Sequence, residues 1–276
     1  MPNQDTVPQQ VTNTQQVTNS LGLEHSASLA PPSTPSPGLA TAPLPSPGLA
    51  PPLQYLRNEA LAESESGFAF KRIVDEICDL NWRALDRENL AAVAAVYYYF
   101  SVQFRETLEI ACRLYPSDKL LQELDAGERN TANLSPWPGV ADEGERMNHD
   151  EFMRRTLRLT PVQDSTKQRL AALGSTYLAK SRGTDSLTRA ISLASYEDGG
   201  LEKVFRSILQ ARDWDDPLLR AFRHFLIKHI EFDSDPEHGH GVICRHLTPD
   251  DSIAPLWSAF RDMLVAAAPK LTDACG

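Results

Sequence analysis

Cysteine is scarce in this chain of 276 residues, and no two cysteines lie close together. Cys78, Cys112, Cys244 and Cys275 form no C-x-x-C pair, so the sequence contains neither a thiolate zinc motif nor a disulfide framework. This pattern is typical of reduced thiols, and we expect a cytoplasmic protein.

Positive charge and long apolar runs are also lacking. The chain has 27 Lys and Arg against 37 Asp and Glu, a net charge of −10. Binding to nucleic acid depends on clustered Lys and Arg that contact phosphates, so no nucleic-acid partner is expected. No apolar run approaches the roughly 18 residues that span a bilayer, so no membrane partner is expected either.

Strand patterns and several familiar enzyme motifs are missing as well. No segment alternates convincingly between apolar and polar residues, and no hairpin signal separates such segments. Glycine-rich phosphate loops, H-E-x-x-H and G-x-S-x-G are absent. The sequence therefore predicts an all-α fold of about seven to ten helices.

The chain divides into two parts by composition. Residues 1–54 are rich in Pro, Ser, Thr and Gln and contain the unit PSPGLA at 35–40 and again at 45–50. Such a segment buries too little apolar surface to offset its ordering entropy, so we predict a disordered tail. The tail also lacks the basic start and apolar centre of a secretory signal. Residues 55–276 are predicted to form a single helical domain.

Helical periodicity extends over almost all of that domain. The segment 89–114 is apolar on most faces and is predicted to be the central helix. Proline and glycine make 134–147 a loop, and Asn148 with Glu151 forms a capping box for the next helix. Other helices are predicted over 68–85, 118–130, 163–181, 185–196, 201–212, 216–233 and 251–268.

The strongest local signal lies at residues 229–239, which read HIEFDSDPEHG. An i, i+3, i+4, i+7, i+8, i+11 spacing puts several residues on one helix face. They are Phe222, Phe225, Leu226, His229, Ile230 and Asp233. His224 lies off this stripe. A buried His and Asp are costly unless satisfied, so the pattern favours either metal ligation or a hydrogen-bonded pair.

Three other residues gain meaning when they are taken together. His149 follows the Asn148 cap, and Glu197 ends an apolar helix just before a glycine turn. Glu128 lies near a helix C-terminus, where a carboxylate meets the unfavourable end of the helix dipole. A nearby cation would explain its position.

The order of these residues resembles that of the heme-oxygenase-like diiron oxidases over about residues 67–270. NHDEF is similar to the SHxEL helix start of that family, and HIEFD…EHG is similar to its HIExDxxxHG segment. The separation of 32 residues between Glu197 and His229 also fits. The resemblance implies a heme-oxygenase-like helical bundle with six metal ligands. These are Glu128, His149, Glu197, His229, Asp233 and His238.

One alternative concerns the last ligand. Four residues, including Pro236, separate Asp233 from His238, which is more than the family usually has. Asp235 or His240 is therefore an alternative ligand in place of Asp233 or His238. A bulge in the helix would also accommodate the extra residues.

A second alternative concerns the first carboxylate. Glu128 lies farther from His149 than is usual in the family, and the proline-containing loop resembles an insertion between them. Glu143 and Glu145 are the alternatives, although both precede the helix cap and need a loop conformation to reach inward.

The resemblance implies an oxidoreductase with two Fe(II) ions, O2 as cosubstrate and an external electron donor. Carboxylates and imidazoles suit such a centre. The tail and the segment NLSPWPGVADEGERMNHDEF resemble the branch that converts isoleucine to the azetidine amino acid of polyoxin-type antibiotics. The expected reaction is desaturation of an aliphatic L-amino acid, followed by C–N ring closure, in natural-product biosynthesis. N-oxygenation and C–C cleavage of a fatty or amino acid are the alternatives within the superfamily.

Other interpretations stay open. His229 and Asp233 are also compatible with a metal-free helical binding protein, or with acid–base catalysis in which Glu197 is the base. An amino-acid substrate needs a cation for its carboxylate. The arginines nearest to the ligands in sequence are Arg129, Arg154, Arg155 and Arg223, for which surface ion pairing is the ordinary role. The central apolar helix leaves a homodimer open, although burial within the bundle explains it equally well.

Overall fold

The structure is a computed structural model that describes residues 68–233 and 247–273, except for the side chains of Asp198 and Asp233. The predicted tail at 1–54 lies outside the described residues. So do Asp235, His238 and His240. The described part of the chain is an all-α bundle without β-strands, as the sequence predicts.

Nine α-helices occur within the described residues. They are α1 (Ala69–Cys78), α2 (Arg87–Leu114), α3 (Lys119–Arg129), α4 (His149–Thr156), α5 (Asp164–Arg182), α6 (Ser186–Ser195), α7 (Leu201–Ile208), α8 (Pro217–Asp233) and α9 (Ala254–Ala267). A π-helical turn, Tyr196–Gly200, joins α6 to α7, and 3-10 turns lie at Trp82–Ala84, Asp251–Ile253 and Pro269–Thr272.

Helix α2 is the centre of the bundle. It packs against α3, α4, α5, α6, α8 and α9. This arrangement follows from its apolar sequence, which would otherwise expose several faces to water. Tyr97 of α2 is buried within a cluster of aromatic rings from four other positions along the chain. Those rings belong to Phe205, Phe222, Phe225 and Phe260. Most apolar residues of α2 are thus buried within the bundle, whereas a partly exposed stripe is formed by Ala91, Ala95, Tyr98 and Tyr99.

Two local predictions were wrong. The helix expected over 68–85 ends at Cys78, and a 3-10 turn follows. There the backbone N–H of Asn81 donates to the carbonyl of Leu271, so a tertiary hydrogen bond replaces the next helical one. The capping box is also absent: Asn148 is the N-cap, but its side chain makes no capping hydrogen bond. Glu151 pairs with arginines instead.

Two further features agree with the composition. Cys78 and Cys112, the two cysteines within the described residues, are free. None of the helices in the described ranges is long and apolar enough to cross a membrane.

Candidate functional site

Four of the predicted ligands lie in one region of the bundle. Glu128 comes from α3, His149 from the start of α4, Glu197 from the π-helical turn and His229 from α8. All four side chains belong to residues that are only 7–9% exposed. They line a single small cavity of about 30 Å³, and the rest of its wall is half aromatic or aliphatic and half polar or charged. The fold therefore assembles these residues although up to 101 positions of sequence separate them.

His229 has a defined orientation. Its Nδ1 lies 2.8 Å from the carbonyl oxygen of Phe225, one turn earlier on α8. A carbonyl oxygen can only accept, so Nδ1 carries the hydrogen and donates it. In the neutral ring, Nε2 therefore presents a lone pair towards the cavity. Metal-binding histidines are commonly oriented in this way, by a backbone carbonyl on the opposite ring nitrogen.

His149 is the centre of the cluster. Its Nδ1 lies 2.6 Å from Glu128 Oε2 and 3.0 Å from His229 Nε2. One ring nitrogen carries at most one hydrogen, which must serve both acceptors. His149 Nε2 is buried and has no hydrogen-bond partner among the described residues. A buried polar atom left in this state is costly, so the cluster suits an additional cation or donor.

Glu197 is positioned by an irregular turn that the sequence does not reveal. A glycine turn was predicted between two helices, but Tyr196–Gly200 form a single π-helical turn that continues directly into α7. Gly199 has a positive φ of 84°, and Gly200 packs against the carbonyl of Ser195 and the ring of Trp257. Such turns are frequent at functional sites because the extra residue redirects a side chain.

The alternatives for the first carboxylate occupy other places. Glu143 is exposed. Glu145 accepts from the backbone N–H of Asp142 and pairs with Arg155 at 2.8 Å. Neither lines the cavity, whereas Glu128 does.

The arginines beside the site mostly form ion pairs, as their ordinary role predicts. Arg154 and Arg155 both pair with Glu151, and Arg155 also donates to the carbonyl of Val140. Arg223 is exposed. This network ties the start of α4, and with it His149, to the preceding loop.

Replacing Glu151 by Gln should lower the free energy of unfolding by up to about 1 kcal/mol at pH 7, because these ion pairs are partly exposed. Hydrogen bonds from Arg154 and then Arg155 lower the pKa of Glu151 from 4.5 to about 2. The depressed pKa gives stabilisation that is full above about pH 4.5 and is lost as the pH falls towards 2. Urea unfolding from pH 2 to 7 measures the effect.

Glu123→Gln is the control, since Glu123 is an exposed glutamate of α3 outside this network. Its effect should be small at every pH. A Glu151→Gln deficit that persists unchanged at pH 2 would contradict the ion-pair explanation.

The remaining predicted ligands are only partly described. Asp233 is the last residue of α8, one turn beyond His229, but its side chain lies outside the described residues. His224 lies off the stripe, as predicted: its Nε2 is 3.0 Å from the Leu134 carbonyl and its ring stacks on Trp137. Burial lowers the pKa of His224.

Several residues of the cavity wall were not predicted from the sequence, among them Arg105 and Asp150. Arg105 is the first charged residue after sixteen uncharged ones in α2, and that interruption is a signal the sequence does carry. Asp150 directly follows His149 in the first turn of a helix. An acidic residue is common there, so the sequence gives no sign of another role.

The donor atoms fit a divalent metal in chemistry and approximate spacing. Two donors bound at about 2.1 Å and at right angles lie about 3 Å apart, close to the separation of His149 Nδ1 and His229 Nε2. In the described ranges, however, no three His, Cys, Asp or Glu residues already surround a common metal position. Instead, His149 lies within hydrogen-bond distance of both Glu128 and His229.

Comparisons of this chain with protein-family models, curated proteins and solved structures found no match.

Proposed function

We propose that this protein is a non-heme diiron oxidase of the heme-oxygenase-like type that uses O2 to oxidise an aliphatic L-amino acid. The observation that carries the proposal is the cluster at His149 Nδ1, where two acceptors from α3 and α8 share one hydrogen. A cation at this point would satisfy both. The order of the donors along the chain supports the same family.

The residues that would hold the two Fe(II) ions are the four buried cavity residues, together with donors at and beyond the end of α8. Two of the four are carboxylates and two are imidazoles, the donor types of oxygen-activating iron sites. When bound, the iron pair would supply O2 activation and removal of hydrogen from a substrate C–H bond. The Phe225 carbonyl keeps the His229 lone pair directed into the cavity.

The apolar residues of the cavity wall favour an aliphatic substrate. Phe100, Phe104, Leu108 and Leu201 line it beside the ligand cluster. Apolar side chains exclude water and contact hydrocarbon without competing hydrogen bonds. Desaturation, followed by C–N ring closure in the case of isoleucine, is the proposed reaction, with an external electron donor.

One observation favours a second candidate, a metal-free helical binding protein. The contacts within the cluster are ordinary hydrogen-bond distances, so Glu128, His149 and His229 can also be read as a buried polar network. In that case the cluster would stabilise the bundle and bind no iron.

The test is anaerobic titration of the apo-protein with Fe(II), followed by O2 with and without L-isoleucine, L-valine or a fatty acid. The diiron proposal predicts about two iron ions per chain and a visible absorption transient that depends on substrate. Product analysis then separates desaturation from N-oxygenation and C–C cleavage. Trace iron binding without a transient would favour the metal-free candidate.

A further inference from the structure

We infer that Arg105 and Asp150 form the site that holds the α-carboxylate and α-ammonium groups of an amino-acid substrate. The inference rests on the proposed function for the substrate class. It assigns that recognition to two residues of the cavity wall that lie next to the ligand cluster.

Arg105 supplies the donor of this site. Its Nε lies 3.1 Å from Asp150 Oδ2, and its Nη1 lies 2.9 Å from Glu109 Oε1. Within the described part of the chain, Nη2 makes no hydrogen bond of its own. A guanidinium group has five N–H donors in a planar fork that suits a carboxylate. Arg105 therefore keeps donors for a ligand while two acids fix its orientation.

Asp150 supplies the acceptor. Its Oδ1 is buried and has no hydrogen-bond partner among the described residues, while Oδ2 accepts from Arg105. An ionised carboxylate only accepts, so this oxygen needs a donor. A substrate ammonium group carries three N–H donors and would satisfy it.

The neighbouring arginine of the wall is occupied differently. Arg129 Nε lies 2.7 and 2.8 Å from the two carboxylate oxygens of Asp125, and its Nη2 lies 3.4 Å from Glu109. Arg105 and Asp150 instead present a donor and an acceptor side by side. This matches the paired charges of a zwitterion.

The positions of Arg105 and Asp150 determine how the substrate would be oriented in the cavity. Asp150 directly follows His149, so an ammonium group on Asp150 anchors the substrate α-carbon beside the ligand cluster. The side chain of the substrate then extends along Phe100, Phe104 and Leu108. A fatty acid lacks the ammonium group and would leave Asp150 Oδ1 unsatisfied, so the site selects amino acids.

The test measures binding of three ligands by calorimetry, both to anaerobic Fe(II)-loaded protein and to metal-free protein. The ligands are L-isoleucine, L-isoleucinamide and (2S,3S)-2-hydroxy-3-methylpentanoic acid. The amide removes the carboxylate charge, and the hydroxy acid removes the ammonium group. We expect isoleucine to bind at least about tenfold more tightly than either analogue, since each lost charge-assisted hydrogen bond weakens binding by this order.

Two variants test separately whether Arg105 binds the substrate carboxylate and whether Asp150 binds the substrate ammonium group. Arg105→Gln should weaken isoleucine and the hydroxy acid about 10- to 100-fold and leave isoleucinamide nearly unchanged. Asp150→Asn should weaken isoleucine and isoleucinamide and leave the hydroxy acid nearly unchanged. Arg182→Gln is the matched control, because Arg182 forms an ion pair with Glu106 but does not line the cavity. It should leave all three affinities unchanged.

Several outcomes would overturn the inference. They are unchanged affinities in both variants, equal weakening of all three ligands, or no binding of isoleucine to wild-type protein. Arg105→Lys provides a second variant if Arg105→Gln does not fold, and it should weaken only the two carboxylate ligands. If iron fails to bind while the ligand pattern holds, the amino-acid site stands without the diiron centre. If iron binds and isoleucine does not, this inference alone fails.

Discussion

Replacing His229 by Ala should remove at least one of the two expected iron ions, with helicity largely retained. His229 contributes an Nε2 lone pair that the Phe225 carbonyl directs into the cavity. Its loss leaves Glu128, His149 and Glu197 as the described donors of the cavity. We expect the affinity for the first Fe(II) to fall more than the 10- to 100-fold typical of lost outer-sphere partners. Anaerobic Fe(II) titration with a colorimetric iron assay measures it, and circular dichroism reports the fold.

His224→Ala is the matched control for this variant. His224 lies on the same helix, is half-buried and hydrogen-bonds to a backbone carbonyl, but it does not line the cavity. It should lower stability and leave two iron ions bound. If His229→Ala unfolds the protein, or if both variants bind iron like wild type, His229 belongs to a structural hydrogen-bonded network.

Replacing Gly200 by Ala should lower the free energy of unfolding by about 2–3 kcal/mol and reduce the iron content. An added Cβ would lie 2.1 Å from the Ser195 carbonyl oxygen and 3.1 Å from Trp257 Cζ2. Trp257 cannot easily withdraw, because it is fully buried and its Nε1 donates to Ser195 Oγ at 3.0 Å. The π-helical turn must therefore shift, and Glu197 shifts with it. Thermal or urea unfolding and the iron assay measure both effects.

Gly199→Ala is the control that distinguishes the steric clash at Gly200 from the general effect of replacing a glycine in this turn. Gly199 has a φ of 84°, but no atom lies within 4 Å of the position of its Cβ. The cost should be about 1–2 kcal/mol for the left-handed backbone, with the iron content retained. Equal iron loss in both variants would argue against the packing of Gly200 as the device that positions Glu197.

The helix pattern was largely predictable, because apolar spacing reports which face of each helix is buried. The stripe on α8 contains Phe222, Phe225 and Leu226, all of which are fully buried. His229 lies on the same buried face. The predictions failed where a tertiary contact outweighed local preference. Helix α1 ends at Cys78, and the backbone N–H of Asn81 then donates to the carbonyl of Leu271, 190 positions away. Glu151 pairs with arginine side chains and does not cap the backbone of Asn148.

The sequence by itself determined an all-α fold, a central apolar helix and a polar interruption at His229 on a buried face. These features depend on the spacing of apolar and polar residues within single helices, so they can be predicted from the order of residues in the sequence. Only the tertiary structure decided that Glu128 lies beside His149, that a π-helical turn carries Glu197, and that Arg105 meets Asp150. Those contacts join residues 21 and 45 positions apart or depend on an irregular turn. The packing of helices against α2 fixes them, and no local pattern encodes that packing.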